Sequence, residues 1–160
     1  MSTTQPIRSK QLLHDFKEYY LTKQPNSRNY TLILIGLNTA LRINDILHLT
    51  WGDVYCTEHR RFYTHLLITE KKTEKETRIL INRELQKTLQ SYRKTQSSVT
   101  DTDYLFPSPR KTAFPLSRYQ AYRIVRRAAE QVGIDDVVRC HSLRKTFGYH
   151  AWKMGTPPAL

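Results

Sequence analysis

Apolar positions along the chain recur first at helical spacing. Residues 7–21 place Leu12, Phe16, Tyr19 and Tyr20 at three- and four-residue steps, which predicts a first helix. Pro25-Asn26-Ser27 breaks it, with Asn26 or Ser27 as the N-cap of the next. Residues 29–39 are apolar almost all round (Leu32, Ile33, Leu34, Ile35, Leu37), the pattern of a buried central helix. A short helix over 43–49 follows, with Ile43, Ile46 and Leu47 on one stripe. The pattern then changes: residues 62–69 and 77–82 are β-rich runs flanking the charged stretch 70–76. A short strand at 51–55 would complete a three-stranded antiparallel sheet. Neither Asn-Gly nor Asp-Gly occurs, so the hairpin loop is expected to be long. Helical character returns at 84–92, entered through Asn82, and the Pro107, Pro109 and Pro115 region, 97–116, reads as loop. Ser117 and Gln120 form a capping box for a helix over 117–132, stopped by Gly133. A last helix over 142–154 ends at Gly155 and Pro157-Pro158, with Leu143, Phe147, Ala151 and Met154 as its apolar stripe. The expected fold is mostly α, an α+β domain of helices around one small antiparallel sheet.

Composition narrows the function. The 160 residues suit one domain, and 39% hydrophobic with 25% charged residues is a globular balance. The longest apolar run, 32–37, falls far short of the ~20 residues a membrane helix needs. No signal-peptide pattern is present, and Cys56 and Cys140 are too few for a disulfide framework, so a reduced, cytoplasmic protein is expected. Lys plus Arg is 26 against 14 Asp plus Glu, a net charge of +12 without a lysine-rich tail. That excess points to a folded surface facing a polyanion, most simply nucleic acid. No Gly-rich phosphate loop or clustered carboxylate site is present, which argues against an ATPase, a two-metal nuclease, a bound metal or any cofactor.

Three signals could carry chemistry. His141 and Arg144, three apart at a helix start, present an imidazole, a guanidinium and free N–H groups to one anion; the same spacing also suits a surface pair. Arg42 leaves a junction between two core-forming helices, with a salt bridge to Asp45 or Asp53 as the alternative to an anionic ligand. Lys71, Lys72 and Lys75 mark the hairpin tip, with Lys71 and Lys75 as candidate DNA contacts; the interleaved Glu70, Glu74 and Glu76 also suit an ordinary solvated turn. Arg123 and Arg127, four apart on one helix, are candidates for DNA-backbone contacts or a basic solvated face.

In this order the three signals resemble one family, the tyrosine recombinases or phage-type integrases. Residues 39–54, around Thr39-Ala40-Leu41-Arg42-Ile43-Asn44-Asp45, resemble its first arginine box. Residues 68–75 resemble its β-hairpin lysine motif, and His141-Ser142-Leu143-Arg144 its His-x-x-Arg box. The resemblance spans residues 7–160. It implies that Arg42 and Arg144 grip the non-bridging oxygens of the scissile phosphate and that His141 bonds the same phosphate and assists proton transfer. Lys72 would protonate the leaving 5′ oxygen, with Lys71 the runner-up. Two fixed guanidiniums can spread the charge of a phosphorane without a metal.

The resemblance also implies a nucleophilic tyrosine in helices beyond Leu160, and an N-terminal DNA-clamping domain that this chain lacks. Tyr149, only five residues past Arg144, does not fit that role. The expectation is a single catalytic-core domain over 1–160, unable to cleave by itself, acting on duplex DNA and forming a homo-oligomer there. An exposed apolar patch near Leu143, Phe147 and Ala151 would favour self-association. Two other readings remain open: a type IB topoisomerase-like strand passer and a non-catalytic DNA-binding or regulatory module.

Overall fold

A computed structural model describes residues 4–69 and 73–155. Its seven α-helices are α1 (Lys10–Glu18), α2 (Ser27–Asn38), α3 (Ile43–Leu47), α4 (Trp51–Val54), α5 (Arg83–Lys94), α6 (Arg118–Gln131) and α7 (Cys140–Lys153). Four strands accompany them, β1 (Tyr55–Cys56), β2 (Arg61–Phe62), β3 (His65–Thr69) and β4 (Glu76–Leu80). The architecture is the expected one, helices around small antiparallel β structure. No helix among the described residues is long and apolar enough to cross a membrane.

The centre is α2. Asn26 caps it by accepting the Asn29 N–H at 3.0 Å, and Leu32, Ile33, Leu34 and Ile35 are all buried. Helices α5 and α7 pack on it, with α1 and α3 alongside. Ser9 caps α1, which begins later than the apolar pattern predicted and gives way to a π-helical turn, Tyr19–Lys23. That wider turn accommodates two consecutive buried rings; the Tyr20 hydroxyl donates to the Ile124 carbonyl at 2.7 Å, tying the turn to α6.

The sheet differs from expectation. Residues 51–54 form a helix, and the β structure is two separate two-stranded ribbons, β1–β2 and β3–β4. A capping box explains the helix: the Asp53 carboxylate accepts the Thr50 N–H at 2.8 Å and the Thr50 hydroxyl at 3.1 Å. Tyr63 and Thr64 interrupt the strand predicted over 62–69, the Tyr63 N–H turning to the Val54 carbonyl. The longer ribbon runs from His65↔Leu80 to Thr69↔Glu76.

The proline-rich loop is tethered rather than free. Leu105 and Phe106 are fully buried, and the Leu105 N–H donates to the Leu49 carbonyl at 2.9 Å. Helix α6 starts and stops as its sequence predicts: Ser117 and Gln120 bond reciprocally, and Gly133 takes φ +82°, the left-handed conformation open to glycine.

The inward face of α7 is not the predicted stripe. Leu143 is 2% exposed, Phe147 and Ala151 are half-buried, and Met154 is 85% exposed. Ser142 and Thr146 are buried with Leu143 instead, because α7 faces backbone as well as side chains. The Thr146 hydroxyl accepts the Ile7 N–H at 2.9 Å, and Lys145 Nζ donates to the Thr4 carbonyl at 2.7 Å. The exposed apolar side chains of this helix are therefore Trp152 and Met154, not a patch at Leu143.

Candidate nucleic-acid interface

Where α2 ends, the Thr39 hydroxyl turns back to the Ile35 carbonyl at 2.8 Å and the backbone becomes extended. Leu41 enters the core and Arg42 leaves it, its carbonyl accepting the Asp45 and Ile46 N–H groups that start α3. The alternation of extended backbone puts the Arg42 side chain in solvent while Leu41, Ile46 and Leu47 are buried. The salt bridge that would have made Arg42 structural is not formed. Asp53 is engaged by Thr50, and the ion pairs among the described residues are Lys17–Glu84 and Arg126–Glu130.

His141 and Arg144 occupy the first turns of α7, where amide N–H groups lack intrahelical partners. The Arg139 N–H donates to Ser142 Oγ at 3.0 Å, which fixes the direction of this start. His141 is exposed and Arg144 half-buried, on one side of the helix. Leu143, between them, is turned inward onto α2. A Cβ at Gly36 would lie 2.5 Å from Leu143 Cδ1, so α7 is seated on the last turns of α2 at its closest approach. From Gly36 the chain reaches Arg42 within six residues. Helices α3 and α7 both pack on α2 and on α6, so the junction bearing Arg42 and the turn bearing His141 and Arg144 share two supporting helices.

Burial pushes the neighbouring Cys140 thiol up to about 11, partly offset by a backbone hydrogen bond, so a neutral sulfur precedes His141 in the chain. The side chains of Arg42, His141 and Arg144 make no hydrogen bond or ion pair with one another or with any other described residue. Three cationic or cationisable side chains are thus available to an external anion.

The remaining predicted positions divide. Lys75 is exposed at the base of the hairpin loop, its N–H donating to Thr73 Oγ1 at 3.3 Å; Lys71 and Lys72 lie outside the described residues. Arg123 and Arg127 are both exposed on α6. The Arg123 guanidinium lies 6.0 Å from the Tyr119 ring. Arg127 leans on the Tyr19 hydroxyl, which raises its pKa, and so is anchored toward the π-helical turn. Arg126, between them, is bonded to Tyr122 at 2.8 Å and to Glu130. Sequence spacing did not single out Arg139, exposed at the α7 start with its guanidinium 5.8 Å from the Tyr122 ring. Its signal was its position two residues before His141.

Residues 5–160 match the model of the phage integrase family. The chain is 43% identical over 153 residues to a probable integrase/recombinase, YoeC, of Bacillus subtilis (strain 168), covering 96% of this chain and 77% of that protein. Its fold is similar to that of XerA recombinase, with TM-score 0.77 and 23% identity over 97% of this chain. It is also similar to the Tn1549 transposon integrase, solved in complex with circular intermediate DNA, with TM-score 0.70 and 18% identity over 99% of this chain. The chain spans about half the length of these two structures, 53% and 55%.

Proposed function

The chain belongs to the phage integrase family, the tyrosine recombinases, and from that premise we propose that it is the catalytic core of an enzyme that cleaves and rejoins duplex DNA in integration or recombination. The observation that carries this reading is the seating of Leu143 on Gly36. It brings the helix start bearing His141 and Arg144 onto the end of the helix that delivers Arg42, and no acidic partner among the described residues occupies these side chains. Arginine suits the role because its planar fork stays charged and meets two phosphate oxygens at once.

In the proposed reaction Arg42 and Arg144 hold the non-bridging oxygens of one phosphodiester, and His141 donates a hydrogen bond to the same group. A tyrosine hydroxyl gives up its proton, with His141 assisting the transfer, and its oxygen attacks phosphorus, giving a 3′-phosphotyrosyl linkage. The bond to the 5′ oxygen breaks, and Lys72 supplies the proton to that oxygen; Lys71 is the alternative donor. Rejoining reverses the step with a 5′ hydroxyl of the partner strand as nucleophile. Charge dispersal over the crowded phosphorane is the dominant catalytic term, as expected for phosphoryl transfer.

Three of the ten tyrosines are engaged in ways that do not suit the attack. Tyr20 and Tyr92 are buried and bonded to the carbonyls of Ile124 and Leu105. Tyr149, at ~100° per residue, is turned about 140° round α7 from Arg144, with its ring against His150 and the Arg8 guanidinium. Following the family resemblance, we assign the nucleophile to a tyrosine outside these 160 residues, and the chain alone is expected to bind duplex DNA without cutting it.

A nicked suicide duplex tests this. A chain extended beyond residue 160 should form a covalent DNA adduct, which Arg42→Ala and Arg144→Ala abolish with little loss of affinity; the 160-residue chain should form none. An adduct on the 160-residue chain refutes the assignment of the nucleophile. Equal loss of binding and cleavage in both arginine variants refutes the catalytic roles in favour of a DNA-binding module.

A further inference from the structure

A second concentration of cationic groups lies apart from the residues assigned to the reaction. The turn between β1 and β2, the last turns of α5 and the segment after it enclose an open cavity of about 710 Å³. Arg60, Arg61, Arg93 and Lys94 line it together with glutamine and serine side chains, and no carboxylate does. None of these four cations forms an ion pair with a described residue. Arg93 is held in place without one. Its guanidinium lies 4.0 Å from the centre of the Tyr55 ring and 5.8 Å from that of Trp51, and Tyr55 is braced edge-on by Phe62 at 4.9 Å. The cation–π contact holds the guanidinium at the cavity without using its N–H donors, which are left for a hydrogen-bonding anion.

The helix end accounts for part of this charge, since Arg93 and Lys94 sit beside the last carbonyls of α5. It does not account for Arg60 and Arg61, which the β1–β2 turn delivers from another segment, with Arg60 at φ +52°. Four like charges around one cavity repel one another unless a polyanion binds there.

We propose that this cavity is a second phosphate-binding site, separate from the scissile phosphate, that takes a phosphate ester or a pyrophosphate group. Residues 61–69 run from the cavity to the hairpin loop, a span of up to ~26 Å at ~3.3 Å per step. The group that it binds is therefore either a DNA phosphate flanking the reaction or a free phosphorylated ligand.

The test is calorimetric titration of the 160-residue chain with inorganic pyrophosphate, beside salt-dependent binding of a duplex. Arg61 and Lys94 are exposed, so R61Q/K94Q is expected to melt like the parent. Pyrophosphate binding that falls about tenfold or more in R61Q/K94Q but persists in R42A/R144A supports the site. If the natural ligand is DNA, R61Q/K94Q also flattens the slope of log K against log salt by up to ~2. If it is a free phosphate ester, that slope is unchanged while pyrophosphate binding is lost. The proposal is overturned if R61Q/K94Q binds pyrophosphate as the parent does, or if the parent binds none and the duplex slope is unaltered. R42A/R144A separates this outcome from a failure of the catalytic assignment, since only the latter depends on those arginines.

Discussion

Leu143 fills the space that a side chain at Gly36 would take. A Cβ there would meet Leu143 Cδ1 at 2.5 Å and Leu143 Cβ at 3.0 Å, so the Leu143 side chain must turn away and its Cβ give by a few tenths of an ångström. Glycine within a helix normally costs ~1 kcal/mol relative to alanine, so its presence in the last turn of α2 reflects this close approach. Gly36→Ala should therefore destabilise the fold by about 1–3 kcal/mol in urea unfolding, through overpacking that outweighs the helix-propensity gain. Leu143→Ala should cost ~2–5 kcal/mol alone. Combined, the two substitutions should cost clearly less than their sum, because the second removes the clash made by the first. Duplex affinity should fall in Gly36→Ala, since the clash shifts the turn that carries His141 and Arg144.

Two buried phenols give the molecule an alkaline limit. Burial pushes Tyr20 up to about 12, with Tyr19 adding to the shift and Arg127 and Arg28 opposing it; burial likewise pushes Tyr92 up to about 12. Both hydroxyls donate to backbone carbonyls, a bond that only the protonated form can make. In the unfolded chain a tyrosine ionises near 10. Between about pH 10 and pH 12 the folded state therefore retains protons that the unfolded state has released, and stability falls as pH rises. Below pH 10 the contribution is complete. Urea midpoints at pH 9 and pH 11 should show the drop. Tyr20→Phe/Tyr92→Phe should start less stable by ~1 kcal/mol for each lost bond and decline less between those two pH values.

How much could be foreseen depended on whether the signal was local. The Ser117–Gln120 box, Gly133 and the Asn26 cap are interactions between near neighbours, and each forms as its spacing dictates. The Thr50–Asp53 box was equally local, yet Trp51, Val54 and Tyr55 are β-favouring types and masked it. The inward face of α7 was misjudged because Thr146 is buried against the backbone of Ile7, 139 residues away. No apolar periodicity reports a helix that packs on a peptide N–H. Arg42, His141 and Arg144 were legible as residue types, but their availability depends on what Asp45 and Asp53 do in the folded chain. The cavity at Arg60, Arg61, Arg93 and Lys94 had no sequence signature, since two segments far apart in the chain, 55–62 and 86–99, build it.

Cys140 should be a poor nucleophile. Its thiol, at the first position of α7, is raised by burial from 9.0 to about 11. Two pH units leave about a hundredfold less thiolate than an ordinary cysteine at pH 8. Alkylation by iodoacetamide, followed by mass spectrometry, should modify a free cysteine peptide about a hundredfold faster than Cys140 in the folded chain. The gap should close once urea unfolds the protein, because the shift comes from burial. Rapid labelling of Cys140 without urea would mean that the first turn of α7 opens readily, carrying His141 with it.

Arg123 and Arg127 differ in how far they are free to meet a phosphate, although both are exposed and four residues apart on α6. Arg127 rests on the Tyr19 hydroxyl, whereas Arg123 is only loosely placed near the Tyr119 ring. A cation that contacts a DNA phosphate releases counterions, and its removal lowers the salt slope of binding by about 0.9. Arg123→Gln should therefore reduce the slope by close to that amount for a specific or a random duplex alike, because phosphate contacts carry no base information. Arg127→Gln should reduce it less, and should also lower stability slightly by removing the favourable interaction of its guanidinium with the Tyr19 hydroxyl, which itself donates to Gln24 Oε1 at 3.1 Å. Fluorescence anisotropy between 50 and 200 mM salt measures both slopes, and the two variants can be compared on one labelled duplex. Equal slopes for parent and Arg123→Gln would show that this face of α6 points away from the DNA, leaving α7 and the hairpin as the surfaces that hold it.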